Sequence, residues 1–466
     1  MRLVPFVPPP GLNSDDTPFA AEGRWADGNN VRFVRGKPQV IGGWSQIYSG
    51  LSGTPINLMW LAGSQLIIGT TTNLYVRSAG TTYDITPSGF TSTTEWSLAP
   101  WGSFALAAPA GGTLHVWDGN TANDATEVTN APDNITSMIV TAERQVLAFG
   151  CNEEVSGTFN AHCIRGSDIE DYTDWTTTAS NNAFEHVLAG SGPIAAGRQI
   201  GAYVGVWTQT GLFLGSFIGD PSQTYRFDPA GDHAELSRSR VLVVNNQTAW
   251  WITIDGFFRT YTLGGAIDAI PCPIYEDFID NQGSSGAAFG VYMPKYEEVW
   301  FFYDDSRDGG TAASRYVGFS IREGTWFRGI LARSAMNSEL GVTWADSSGA
   351  VFVHEFGNTA NGAALDWHIQ TADQHLDNSG RRLMIRGVLP DFEEQAGDVS
   401  LTLYVRDRPQ APAVTKGPYT LTTGTTKKDF RASGRIVAAR FSGGSASGSY
   451  MRLGKPVFDV VEMGER

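Results

Sequence analysis

From about residue 51 to 375 the chain repeats one pattern: a short apolar run, then Gly, Asn, Asp or Thr. Runs at 56–61, 103–108, 135–140, 145–149, 200–208, 212–217, 248–254, 298–303 and 316–321 are examples. Runs this short, bounded by turn residues, are strands rather than helices, and strands at such spacing build a sandwich, a barrel or a propeller. The longer period chooses among them. Gly–aromatic corners divide the region into units at 54–92, 93–133, 134–193, 194–236, 237–282 and 283–331, with a seventh partial unit to about 370. Units that long hold four strands each, which is the arithmetic of propeller blades. Aromatics at 12%, charged residues at only 17% and 54 glycines fit pleated, half-buried surfaces joined by many turns. Helical periodicity is confined to brief stretches near 236–241 and 273–281.

The expected fold is therefore all-β: a β-propeller of about six blades over 51–375, with an additional β platform domain. The platform is formed by the C-terminal segment, 376–466, together with the N-terminal arm, 1–50. In the arm, Pro5, Pro8, Pro9, Pro10 and Pro18 forbid regular helix. Asp27-Gly28 and Asn29-Asn30 are turn chemistry, and 31–35 alternates as a short strand. Such a segment has little core of its own, so it is expected to lie extended on a neighbouring subunit, burying Phe6, Phe19, Trp25 and Trp44. Apolar alternation at 383–388, 400–405, 436–441 and 456–461 marks the C-terminal strands.

Charge is divided unevenly. The net charge is −15, but residues 1–44 carry +1, residues 45–380 carry −21 and residues 381–466 carry +5. An acidic total argues against tight, non-specific clasping of nucleic acid, which needs a basic footprint. One reading of this acidity is solubility, since acidic surfaces keep globular proteins apart; the other is an acidic body that repels phosphate. Three cysteines, Cys151, Cys163 and Cys272, make neither a disulfide framework nor a zinc site; they read as buried thiols of a protein made in a reducing cytoplasm. The N-terminus does not read as a signal peptide, and no membrane-spanning segment is expected.

The usual catalytic signatures are missing: no phosphate loop, no dinucleotide fingerprint, no nucleophile elbow. His354-Glu355-Phe356-Gly357-Asn358 begins like a zinc-protease motif and fails at Asn358. The acidic run 167–175 is the best special loop. A calcium site is one reading of it, and a solvated Asp-rich turn anchored by Trp175 the other. The chain is expected not to be an enzyme and to need no metal or cofactor.

Several segments resemble virion proteins of tailed phages. They are 25–33 (WADGNNVRF) running into Gly36-Lys37-Pro38 and Gly42-Gly43-Trp44, Arg165 to Asp168 with Asp174-Trp175, and Val206-Trp207-Thr208 with Gly219-Asp220-Pro221. Trp250-Trp251 with Asp255 to Phe258, and the ending at 431–435, 451–454 and 464–466, complete the series. In this order they resemble the tail nozzle, or packaged-DNA stabilisation protein, of short-tailed phages. The resemblance implies a structural virion protein, located in the tail. It forms a ring, of six copies, that extends the head-to-tail channel and retains then releases DNA. Implied partners are its own copies, the tail adaptor and portal complex, a tail fibre or needle protein, and double-stranded DNA that passes without specific binding. No catalytic residue comes with it. Candidate docking and assembly residues are Trp25, Arg32, Arg35, Trp44, Arg381, Arg382, Arg431, Arg435 and Arg452, with the basic end facing an acidic adaptor or portal. The alternative is a receptor- or glycan-binding propeller at the virion tail tip.

Overall fold

Glycine and large aromatic residues interlock between neighbouring sheets, and this sets the long period seen in the sequence. A side chain at Gly69 would meet the Trp96 ring of the next sheet at 2.5 Å, and one at Gly197 would meet Phe149 of the preceding sheet at 2.1 Å. Trp96 also donates its indole N–H to the Thr70 carbonyl at 2.8 Å. In a computed structural model that describes residues 2–61, 64–309, 312–338, 342–375, 381–443 and 448–463, these sheets form a closed propeller.

Six antiparallel four-stranded sheets follow one another at 55–84, 96–127, 137–187, 194–232, 243–269 and 289–330. Each unit boundary expected from the sequence falls in the loop before, or at the start of, a first strand. A seventh blade uses three strands from 335–354, and its fourth comes from the N-terminal segment. We number the N-terminal strands β1 (Arg2–Pro5), β2 (Trp25–Asn29), β3 (Val31–Val34), β4 (Lys37–Val40) and β5 (Trp44–Tyr48). β5 pairs antiparallel with Val351–His354, placing Trp44 opposite His354 and Ser45 opposite Val353. The first strands of consecutive blades are neighbours, and that of blade 7 returns to that of blade 1, so the ring closes. The partial seventh unit is thus a full blade.

The remaining strands build the platform. β1 joins Val457–Glu462, Leu383–Leu389 and Lys428–Gly434; β2 joins His368–Thr371, Ile436–Gly443, Val399–Arg406 and Val414–Leu421; β3 and β4 join Tyr450–Leu453 and Phe392–Ala396. Burial alternates strictly along Val399–Arg406, one face to the core and one towards solvent. The N-terminal segment is therefore not an extended arm awaiting a neighbour. Phe6 and Trp25 are fully buried within their own chain, Phe6 edge-on to Phe458. One hydrophobic core runs from these platform residues to Trp251, Trp300, Trp326 and Trp344 of the propeller. Strand His368–Thr371 belongs to the platform, so the platform begins before the 376 expected; 376–380 lie outside the described residues. Among the described residues no helix is long and apolar enough to cross a membrane.

Candidate functional site

Two polar assemblies stand out, and their charge balance separates them. The first is the seam between platform and propeller, which the 25–33 segment builds almost residue by residue. Asp27 pairs with His368 at 2.9 Å and with Arg328 at 3.0 Å; Arg328 reaches Asp277 at 3.0 Å, and Asp277 pairs with Arg307 at 2.8 Å. Burial would raise the Asp27 carboxyl, but His368 and Arg328 hold it well below the usual carboxylate range. Asn29 accepts from the Ile330 amide at 2.8 Å, and Asn30, at φ 54°, accepts from the Tyr316 hydroxyl at 3.1 Å. Each cation here faces a carboxylate, so this part of the seam is a web of paired charges.

Arg32 sits deeper in the same seam. Its guanidinium lies 2.6 Å from Glu355 and 3.5 Å from Glu298, with the Tyr296 ring 3.9 Å away. Glu298 also accepts the Trp300 indole N–H at 2.8 Å. Burial pushes the Glu298 carboxyl up to about 7 against the pull of Arg32, and the two glutamates hold Arg32 firmly charged. Glu355 accepts the Gly42 amide at 3.2 Å, and a side chain at Gly42 would strike the Glu355 backbone at 2.5 Å. The Gly-Gly-Trp corner is therefore the close crossing that leads β4 into β5.

These contacts correct part of the docking assignment. Trp25 and Arg32 are buried, so they hold the chain together internally and offer nothing to a neighbour. Trp44 is half-buried against His354, ring centroids 5.0 Å apart. Arg35, Arg381, Arg382, Arg431 and Arg435 are exposed. Arg381 pairs with Glu462 and Arg382 with Asp407, while Arg452 is held by Glu393 at 2.9 Å. The sequence-derived set is thus scattered over interior and surface and does not converge on one patch. In the acidic loop, Asp168 accepts the Ile169 and Asn182 amides, Asp171 the Thr173 amide and hydroxyl, and Asp174 the Asn181 side chain. Trp175 is buried beneath it, its indole N–H on the Tyr172 carbonyl at 2.8 Å. The carboxylates serve their own turn, and no metal-binding group of three or more ligands occurs among the described residues.

The second assembly is the propeller's axial channel, which holds two neighbouring cavities of about 660 Å³ each. Arg240 lines both, as do Glu95 and Ile56; Arg198 lies along the first strands and Arg238 at the mouth. Arg198 donates to the Gly197 carbonyl at 2.8 Å, and Arg240 donates to the Ser334 carbonyl at 2.5 Å with its guanidinium 5.4 Å from the Phe289 ring centre. Glu95 accepts the Ser239 hydroxyl. Neither Arg198 nor Arg240 forms an ion pair with a described carboxylate. Burial lowers both guanidinium pKa values, and Glu95 counteracts it. These residues were missed because a lone Arg in a strand carries no motif. The available signal was position: Glu95, Arg198, Arg238 and Arg240 all stand at the beginnings of the expected blade units.

No family model matches the chain, and no curated protein matches it. Among solved structures it is similar to the WD40 domain of Neurospora crassa Pan2, at 9% identity over 67% of this chain and 94% of that one, TM-score 0.44. It is similar to virginiamycin B lyase from Staphylococcus aureus, at 9% identity over 66% and 96%, TM-score 0.43. It is also similar to BamB from Moraxella catarrhalis, at 12% identity over 76% and 98%, TM-score 0.40. At these identities the likeness concerns the fold alone.

Proposed function

We propose that this chain is a structural virion protein, the subunit of a ring-shaped nozzle at the end of a phage tail. In this role it extends the head-to-tail channel and retains, then releases, packaged DNA. The observation that supports it is the division of charge between two units fused through one core. The segment 45–380, mostly propeller, carries −21, and the segment 381–466, all platform where described, carries +5. A basic platform suits an acidic adaptor or portal, where complementary potentials fix register and speed encounter. An acidic body, repeated around a ring, suits a conduit that must not hold phosphate. A single core from Phe6 to Trp344 makes the two units one rigid piece, as a load-bearing ring subunit requires.

Imaging of whole particles with symmetry classification tests this reading. The expected result is six copies arranged as a ring on the tail axis, with the platform towards the head. A particle with one or three copies, or with the platform at the distal tip, rejects it.

A further inference from the structure

We propose that the propeller channel is a binding site for an acidic saccharide, a sugar bearing a carboxylate, held between Arg238 and Arg240 at the channel mouth. The inference rests on the channel alone and stands whether or not the chain is a tail nozzle.

Four observations carry it. The first is charge: the two cavities are lined by three guanidinium groups and one carboxylate, in a propeller whose sequence is otherwise strongly acidic. Cations concentrated where the chain as a whole is acidic need a reason, and the seam offers a contrast: there Arg328, Arg307 and Arg32 each face a carboxylate. The second is availability. Arg240 is anchored through one nitrogen to the Ser334 carbonyl, and no carboxylate takes its remaining donors. A guanidinium offers five N–H donors in a planar fork that matches a carboxylate.

The third observation is placement. Arg238 is exposed, yet its guanidinium packs against Gly286, so closely that a side chain there would fall 1.8 Å from its nitrogen. Gly286, at φ 68°, thus leaves room for the Arg238 head beside the mouth. The fourth is what surrounds the cations. Hydroxyls line the mouth, among them Thr54, Thr94, Thr136 and Ser285; Thr136 donates to the Gly150 carbonyl at 3.0 Å and Ser285 to Asp304 at 2.7 Å, so these two offer oxygen lone pairs rather than protons, while Ile56 and Ala195 supply apolar wall. Hydroxyl oxygens that accept suit the hydroxyls of a sugar, and the apolar wall suits a ring face; a bare inorganic anion would use neither. A volume of about 660 Å³ lies within the range of small-ligand sites, and Glu95 is placed to accept from a sugar hydroxyl.

Isothermal titration calorimetry of the full chain decides it. N-acetylneuraminate and galacturonate are titrated as acidic probes, galactose as the neutral control, and inorganic phosphate as the bare anion. The expected result is saturable binding of at least one acidic sugar, with galactose and phosphate each at least ten-fold weaker. Arg238→Ala should weaken that binding five-fold or more without moving the melting temperature, because no described hydrogen bond or ion pair depends on the Arg238 side chain. Arg240→Lys, which keeps the charge and loses the fork, should also weaken it. Absence of binding by both acidic sugars, binding of phosphate or galactose as tight as theirs, or an affinity unchanged in Arg238→Ala overturns the proposal.

Discussion

One guanidinium between two carboxylates leaves a surplus negative charge in the interior, and the protein resolves it with a proton. Arg32 is fully buried, Glu355 lies 2.6 Å from it and Glu298 3.5 Å. The closer glutamate takes the pair; the farther one, also bound to Trp300, is the group whose proton affinity burial lifts from the ordinary 4.5 to about 7. A carboxyl raised on folding holds a proton that the unfolded chain gives up. Its stabilisation is complete below pH 4.5 and is lost as the pH rises through 7. Glu298→Gln mimics the protonated form and can still accept from the Trp300 indole. It should therefore cost less than about 1 kcal/mol near pH 6 and flatten the decline in stability between pH 5 and 7. Arg32→Met strands two buried carboxylates and should cost on the order of 3–5 kcal/mol. Urea unfolding of the three proteins across pH 5 to 8 measures both. If Glu298→Gln declines with pH as steeply as the parent, the proton resides elsewhere.

At the scale of strands, the closing device is β5, and it shows which parts of a fold a sequence reveals. The boundaries of six blades were legible because each blade is a local meander, with turns and apolar runs in chain order. The seventh was legible only in part, because its outer strand lies some 300 residues upstream, at Trp44–Tyr48. The same non-locality hid the platform pairing of β1 to β4. A proline-rich segment looked coreless when its partners were the last strands of its own chain. Periodicity reports which face of a strand is buried, not which strand covers it. The channel arginines were illegible for another reason: their meaning comes from facing one axis, which seven distant strands define together.

The clasp has its own chemistry. His354 is sandwiched between Trp344, ring centroids 3.9 Å apart, and Trp44, and its Nε2 accepts from Arg333 at 2.7 Å. Nε2 as an acceptor means a neutral ring, and burial, with Arg333 beside it, drives the imidazole pKa well below 6.5. An imidazole depressed on folding costs stability as the pH falls below the unfolded value near 6.5. Acid should therefore loosen the propeller's closure. We expect stability to fall by up to about 1.4 kcal/mol per pH unit below 6.5 from this group, and His354→Gln to lower the plateau but remove that slope. Trp44→Ala should cost about 2–3 kcal/mol, less than for a wholly buried Trp because the ring is half-exposed. Thermal melts at pH 5.0 and 7.0 read both effects. An acid slope that survives in His354→Gln would assign it to another group.

For the whole molecule, the question is what an acidic propeller with a cationic axis does beside DNA. The segment 45–380 is at −21 with Arg198, Arg238 and Arg240 included, so the acidity elsewhere in it exceeds the total. Duplex DNA cannot use the axial arginines as a clamp, because Arg198 and Arg240 line cavities of about 660 Å³ bounded by blades and only Arg238 stands exposed at the mouth. The basic residues that do reach the surface are partly spent. Arg381, Arg382 and Arg452 each face a carboxylate of the platform, leaving no continuous run of phosphate contacts among them. Non-specific DNA binding needs such a run, and its strength falls steeply with salt because it is driven by counterion release. The expected outcome is no retention of a duplex of random sequence at 0.15 M salt with protein at about 10 μM, a concentration at which ordinary non-specific binders with Kd of 10⁻⁴–10⁻⁶ M are partly or largely bound. Lowering the salt to 0.02 M should change little, since repulsion between the acidic body and phosphate grows as screening weakens. Fluorescence anisotropy of a labelled 30-base-pair duplex, titrated at both salts, provides the measurement. A complex at 0.15 M salt that tightens a hundred-fold at 0.02 M would mean that the protein grips DNA. The division of labour between an acidic conduit and a basic docking platform would then be wrong.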